Sequence, residues 1–381
     1  MPFCNFFHFF PGINLMPERC ADFKRNFAGK LISKMQGIPN STTFCCFGSQ
    51  NTDVVAPVAP ASAQYCSMKT FDPLNDNCDR FINTPEHLTK KFNFSEFKTI
   101  ENQKFSLISD CFLEWFVGFV EGEGSFTVCN RNKDLVFCVV QSLLDKDVLY
   151  YIQKTLGFGR VQMHSNKNNQ TWAYKVTNLS DLYKIILILN GNVLLAYRQK
   201  QLQTFIEAFN EKIERKHNKK KVLTFGLKKI HLLFADFFPT LNDLWTSGFC
   251  DREGGFYLYF INHTSTYKIS FQVTQKHAVN LPVLSSFIQM FKQGRIELKK
   301  KLEFYTFVIT GLGNCKNAVE YFDKFPLFTS KKANSLAIFK ELIQCLWNGD
   351  HRQHNGALLP QLILKAKIMN KYKNKNKEHR V

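Results

Sequence analysis

At 381 residues the chain has room for two domains of ordinary size, each with a real core. Its 50 Lys and Arg against 31 Asp and Glu give a formal charge of +19, which points to a polyanionic partner, nucleic acid before membrane surface. Twelve cysteines without one CxxC pair argue against a disulfide scaffold and a zinc site, and no apolar run approaches the roughly 20 residues of a membrane span.

The first 104 residues read as a poorly structured extension. They show no sustained helical or strand period, and "NTDVVAPVAPASAQ" at 51–64 is rich in Pro, Ala and Ser. The N-terminus lacks the basic region and small-residue cleavage site of a secretory signal. Next comes a helix from about Asp110, read as its N-cap, to Glu121, then strands near 125–130 and 135–141 and a helix near 145–156. Strands near 159–164 and 170–176 and helices near 179–189 and 197–214 complete a first unit, 105–216. The basic stretch "ERKHNKKK" at 214–221 runs into a basic linker, 217–238. The second unit, 239–364, opens on Thr240 and Asp243 at capping-box spacing and carries strands near 255–261, 267–275, 295–298 and 303–310. The tail, 365–381, holds seven Lys/Arg against one Glu.

The two units can be laid over one another. "FVGFVEGEGSF" at 116–126 matches "TSGFCDREGGF" at 246–256, Gln141 matches Gln275, Gly159-Arg160 matches Gly294-Arg295, and Phe205 matches Phe339. The offset drifts only from 130 to 135, which marks a duplicated αββαββα unit. Two such halves are expected to face each other about a pseudo-two-fold axis.

The first repeated helix is apolar on more than one side, so it needs cover from two directions. Gly118 and Gly122 lie on one face and admit a close backbone, and the matching helix offers Ser247 and Gly248; each helix is therefore expected to pack on its copy. That packing brings Glu123 and Glu253 together. Adjacent carboxylates stay ionised only beside cations, which suits hard divalent ions and phosphodiester chemistry. The alternative is a pair of solvated acids in two helix-to-strand turns. In "YKISFQVTQK" (267–276), Tyr267, Ile269, Phe271 and Val273 alternate with Lys268, Ser270, Gln272 and Thr274. Arg295, Glu297 and Lys299 alternate on a neighbouring strand, and Arg160, Gln162 and His164 on its counterpart. Such a polar sheet face can read base edges in a major groove.

With these motifs the chain resembles the LAGLIDADG homing endonucleases in their single-chain, two-motif form, over about 105–375. "FVGFVEGEG" and "TSGFCDREG" match the family signature, "FQVTQK" resembles the strand that carries a pocket Gln, and "FPLFTSKK" (325–332) resembles the segment with a basic residue near the scissile phosphates. The resemblance implies an α+β fold of two αββαββα units whose antiparallel sheets form a saddle on double-stranded DNA. It implies Mg²⁺ held by Glu123 and Glu253 beside the backbone of Gly122 and Arg252, with Gln141, Gln275 and Lys331 as the other catalytic residues. The expected activity is staggered cleavage of both strands at a long target by a monomer, from a gene in an organellar intron of chloroplast or mitochondrion. Three departures stand out: Arg252 replaces a small residue; Tyr197 stands where Lys331 has its match, so that the first half's basic role either falls to Arg198 or is missing; and Val136, Cys138 and Val140 stand where the second half has Ser270, Gln272 and Thr274. The competing readings are a maturase that binds its host intron RNA and a non-catalytic DNA-binding regulator.

Overall fold

A computed structural model describes residues 91–371, apart from 130, 132, 166–169, 219–225, 300–302 and 354–355. All of these fall in one compact unit of the chain, His87–Val381. The first half comprises α1 (Ser95–Gln103), α2 (Asp110–Glu123), β1 (Gly124–Val128), β2 (Leu135–Ser142), α3 (Lys146–Leu156), β3 (Arg160–Ser165), β4 (Thr171–Val176), α4 (Leu179–Leu189) and α5 (Ala196–Asn218). The second comprises α6 (Trp245–Glu253), β5 (Gly254–Phe260), β6 (Tyr267–Lys276), α7 (Leu281–Phe291), β7 (Arg295–Lys299), β8 (Phe304–Thr310), α8 (Leu312–Lys324), α9 (Ser330–Trp347) and α10 (Leu359–Ile368). The mixed α+β class and the duplication are thus both realised.

Each half builds one antiparallel four-stranded sheet, ordered β1-β2-β4-β3 and β5-β6-β8-β7. Corresponding aromatics pair in both: Phe126 opposite Phe137, and Phe256 opposite Phe271. The repeated Gly-Arg has a local cause. Gly159 and Gly294 adopt left-handed φ values of 76° and 98°, and an added Cβ would fall within 3.0 Å of Tyr174 and Phe307 respectively. Only glycine makes that turn at no cost, so Arg160 and Arg295 open β3 and β7.

The halves meet through α2 and α6, which contact each other more than any other pair of described elements. Gly118 and Gly248 set the approach: a Cβ on Gly118 would lie 2.1 Å from the Trp245 carbonyl oxygen, and one on Gly248 2.0 Å from that of Trp115. Gly122 faces the Arg252 stem, whose Cβ lies 2.8 Å from where its own Cβ would stand. Ser247 does not serve this interface as expected. It turns into its own half, where its N–H donates to the Tyr321 hydroxyl at 3.0 Å and its hydroxyl to the Pro326 carbonyl at 2.8 Å.

Several sequence boundaries move. Ser109, not Asp110, caps α2, its hydroxyl accepting from the Phe112 N–H. Thr240 and Asp243 form a tight turn ahead of α6 rather than a capping box, with both Thr240 donors on Asp243 Oδ2. The folded part begins before 105, because α1 buries Phe97 while Phe94 and Phe105 are buried at its two ends. With only Phe97 and Ile100 apolar among its nine residues, this short helix carries too few apolar side chains to stand out as a period. Residues 1–90 lie outside the described residues. The linker is tied down at Ile230 and Leu233 by Asn210 and Asn190, and α10 extends into the stretch read as a tail.

Candidate active site

Each motif helix ends in an acid that is followed at once by a strand: Glu123 before β1 and Glu253 before β5. Arg252 links the two, since its Nε ion-pairs with the Glu123 carboxylate and lies 3.9 Å from that of Glu253. Glu123 keeps 15 % of its side chain exposed. Burial pushes its carboxyl up to about 7, opposed by Arg252 and Arg198 and reinforced by Glu253. Burial raises Glu253 too, against the pull of Arg252, Lys332 and Arg198.

Behind each of these two acids sits a second acid that the sequence reading passed over. Glu121 accepts from the Leu194 and Leu195 N–H groups at 2.9 and 2.6 Å, and from the Trp245 indole of the other helix at 2.7 Å. Asp251 accepts from the Phe328 and Thr329 N–H groups at 3.0 and 2.8 Å, and from the Trp115 indole at 2.9 Å. Each therefore bonds its own half's segment leading into the long helix, α5 or α9, and pins the opposite motif helix. The signal was present: two acids, both two residues before a matched acid, and two tryptophans, all at the offset of 130.

Two cavities adjoin the acids. The larger, about 490 Å³, is lined by Glu123, Gln141, Asp145, Arg252, Lys331 and Lys332 among others. The smaller, about 220 Å³, is lined by Glu253, Gln275, Asn280, Gly122, Tyr197 and Arg198 among others. Each cavity thus takes its acid and its glutamine from one half and its basic segment from the other. Asp145 accepts from the Lys331 N–H at 3.1 Å, and Asn280 from the Tyr197 N–H at 3.2 Å, which seats the start of each long helix on the opposite half.

The basic groups differ between cavities. Lys331 Nζ donates to Ser142 Oγ at 2.6 Å and lies 3.4 Å from Asp145 Oδ2. Its match, Tyr197, stacks on His277 with ring centroids 4.4 Å apart. Lys332, which the sequence reading did not single out, donates to the Gly254 carbonyl, and Arg198 donates to the Gly124 carbonyl at 2.7 Å. They are counterparts, and burial lowers both from their ordinary values. Arg198 also donates to the Gly122 carbonyl at 3.4 Å.

The sheets' other faces follow from register. Side chains of paired residues share a face, so Tyr257, Ser270, Thr310 and Gln272, Val308, Arg295 lie together, and Lys268 joins Tyr259. Tyr257 and Tyr259, 43 % and 54 % exposed, extend this face beyond the residues expected. Ser270 is a correction: it is buried, with its hydroxyl taken by Gln272 at 2.9 Å, so it supports Gln272 rather than presenting itself. Thr274 is hydrogen-bonded to Thr306 at 3.0 Å, and Arg295 is ion-paired with Glu297. On the first sheet Arg160 and Gln162 are exposed on the face of Cys138 and Lys175. His164 is exposed, but a bulge between Met163 and Ser165 breaks the alternation there. The Lys299 side chain lies outside what is described.

The family model for LAGLIDADG endonucleases matches residues 116–209 and 246–342. The chain belongs to this family. Among relatives, "Probable intron-encoded endonuclease 4" of Neurospora crassa is 32 % identical over 275 residues, 70 % of this chain and 46 % of its own. "Uncharacterized cox1 intron-2 37.2 kDa protein" of Schizosaccharomyces pombe is 25 % identical over 58 % of this chain and 62 % of its own. The chain thus spans about half to three-fifths of the length of these two. Among solved structures, the LAGLIDADG homing endonuclease I-GzeII in complex with its DNA target has a TM-score of 0.55 at 21 % identity, covering 69 % of this chain and 99 % of that one. The meganuclease I-SmaMI, bound to uncleaved DNA in the presence of calcium ions, has a TM-score of 0.52 at 19 % identity, covering 68 % and 99 %. These structures share the LAGLIDADG fold seen here.

Proposed function

We propose that the chain is a site-specific endonuclease that makes Mg²⁺-dependent, staggered cuts in both strands of a long DNA target. The observation that carries this reading is the paired construction of the cavities: two acids joined at the base of one helix pair, each with a glutamine from its own half and a basic segment from the other. One cavity per strand accounts for a double-strand cut. The donors are oxygens of two carboxylates, which suits a hard divalent cation. Among the described residues no group of three or more His, Cys, Asp or Glu gathers to hold a metal, so phosphate and water oxygens would complete the shell. When bound, the cation supplies an activated water and a stabilised leaving oxygen. Gln141 and Lys331 at one cavity, and Gln275 and Arg198 at the other, orient solvent and offset phosphate charge. Arg160, Gln162, Lys268, Gln272 and Arg295 face the duplex and set the target.

The intron-encoded names of the relatives support an intron-borne gene, and the abundance of Phe, Lys and Asn supports an AT-rich, organellar one. Both pseudo-symmetric halves lie in one chain, so the protein acts as a monomer. The test is cleavage of DNA spanning the intronless insertion site, with and without Mg²⁺, beside Glu123→Gln and Glu253→Gln. Staggered cuts that need Mg²⁺ and both acids support the endonuclease. One observation favours a maturase instead, namely the Arg252 guanidinium already neutralising the acids; tight binding of the host intron RNA by a protein that leaves that DNA uncut would decide for it.

A further inference from the structure

Arg252 sits where a cation would be expected. It is the penultimate residue of α6, and its stem packs across the pseudo-two-fold axis onto Gly122, where a Cβ would approach Arg252 Cβ and Cγ to 2.8 and 3.1 Å. The glycine leaves the room that the stem fills. From there Nε reaches the Glu123 carboxylate and comes within 3.9 Å of Glu253. The equivalent place in the first half holds Gly122 itself, so the device is one-sided. Half of the Arg252 side chain, 53 %, is exposed, and it lines the larger cavity. It is therefore anchored at its stem yet half exposed along the cavity, a geometry that allows the guanidinium to leave without repacking the helix pair.

A guanidinium and a divalent cation cannot both neutralise Glu123 at short range, because like charges in a half-buried site repel strongly. We propose that Arg252 is an internal surrogate cation that excludes a divalent metal ion from the acid pair in the free protein. Metal loading then requires the guanidinium to be drawn off, and an incoming phosphate is the anion suited to do so. The consequence is a nuclease that stays unarmed until DNA occupies the larger cavity. This inference rests on the proposed metal-dependent function, but its test reads binding rather than cutting.

The experiment is calorimetric titration of the DNA-free, full-length protein with Ca²⁺, comparing native protein with Arg252→Met, which keeps the stem against Gly122, and Arg252→Lys, which keeps the charge. Arg252→Met is expected to bind Ca²⁺ at least tenfold more tightly than native, Arg252→Lys to stay near native, and adding Glu123→Gln to Arg252→Met to abolish the gain. A purely structural role predicts no such split between Met and Lys, and melting curves of both variants check that the fold is kept. Equal or weaker Ca²⁺ binding by Arg252→Met would overturn the proposal, as would undetectable binding by both. Failure of the nuclease reading would appear separately, in the cleavage assay.

Discussion

The sharpest test of the helix pair is Gly118→Ala. The added methyl would lie 2.1 Å from the Trp245 carbonyl oxygen and 2.9 Å from the Phe249 nitrogen, both backbone atoms that no rotamer change can move. Restoring an ordinary carbon–oxygen contact means parting the helices by about 1 Å, and a gap of that size forfeits roughly a quarter to a half of each dispersion contact across it. The contacts at risk include Trp115 and Trp245, both fully buried, and their indole bonds to Asp251 and Glu121. Overpacking of this kind costs about 1–3 kcal/mol, occasionally more, and a backbone clash belongs at the upper end. A loss of about 3 kcal/mol lowers Tm by roughly 6–12 °C in a domain of this size. Gly248→Ala, 2.0 Å from the Trp115 carbonyl oxygen, should cost the same, and the double variant less than the sum, because one separation relieves both clashes. Gly313→Ala is the control: it lies in α8 with nothing within 4 Å of its Cβ, and it should be neutral or slightly stabilising. Thermal melts of the four variants beside native protein decide the matter. If Gly118→Ala melts within about 1 °C of native, the close helix contact has been misread.

Further expectations can be checked in the same way. Trp245→Phe removes the indole donor from buried Glu121 and should cost about 1–3 kcal/mol for the unmet acceptor, read from denaturant midpoints; an unchanged midpoint would mean the bond carries nothing. Glu114 is pushed up to about 8, first by burial and then by Asp243 and Asp110, despite the N–H of Leu244. A raised folded pKa means its contribution is complete below the unfolded value near 4.5 and is lost as pH rises through 8. Glu114→Gln should therefore gain Tm relative to native at pH 9 and little at pH 4, and a pH-independent difference would contradict that. Lys332→Met, which removes the ammonium beside the Gly254 carbonyl, should slow single-turnover cleavage by about 10²-fold, with no comparable loss of DNA binding.

Much of this architecture is a one-dimensional property of the chain. The duplication, the order of helices and strands, the acids at the ends of two apolar helices and the alternating face of β6 all follow from local periodicities, which side-chain chemistry and backbone geometry impose within a few residues. The near-constant offset even paired Gln141 with Gln275 and placed Gly118 opposite Gly248. Other features depend on which surfaces meet. Ser247 has the size of an interface residue, but helix rotation turns it toward Tyr321 and Pro326. Ser270 keeps the parity of a reading residue, yet its neighbours on the sheet bury it. The Lys331–Ser142 contact, the Trp115–Asp251 and Trp245–Glu121 crossings, and the reach of Arg252 to Glu123 join residues 124 to 189 positions apart. No periodicity encodes such pairings. They arise because burying two apolar helices against each other leaves one rotation and one depth at which backbone meets backbone, and that single choice sets every contact across the axis.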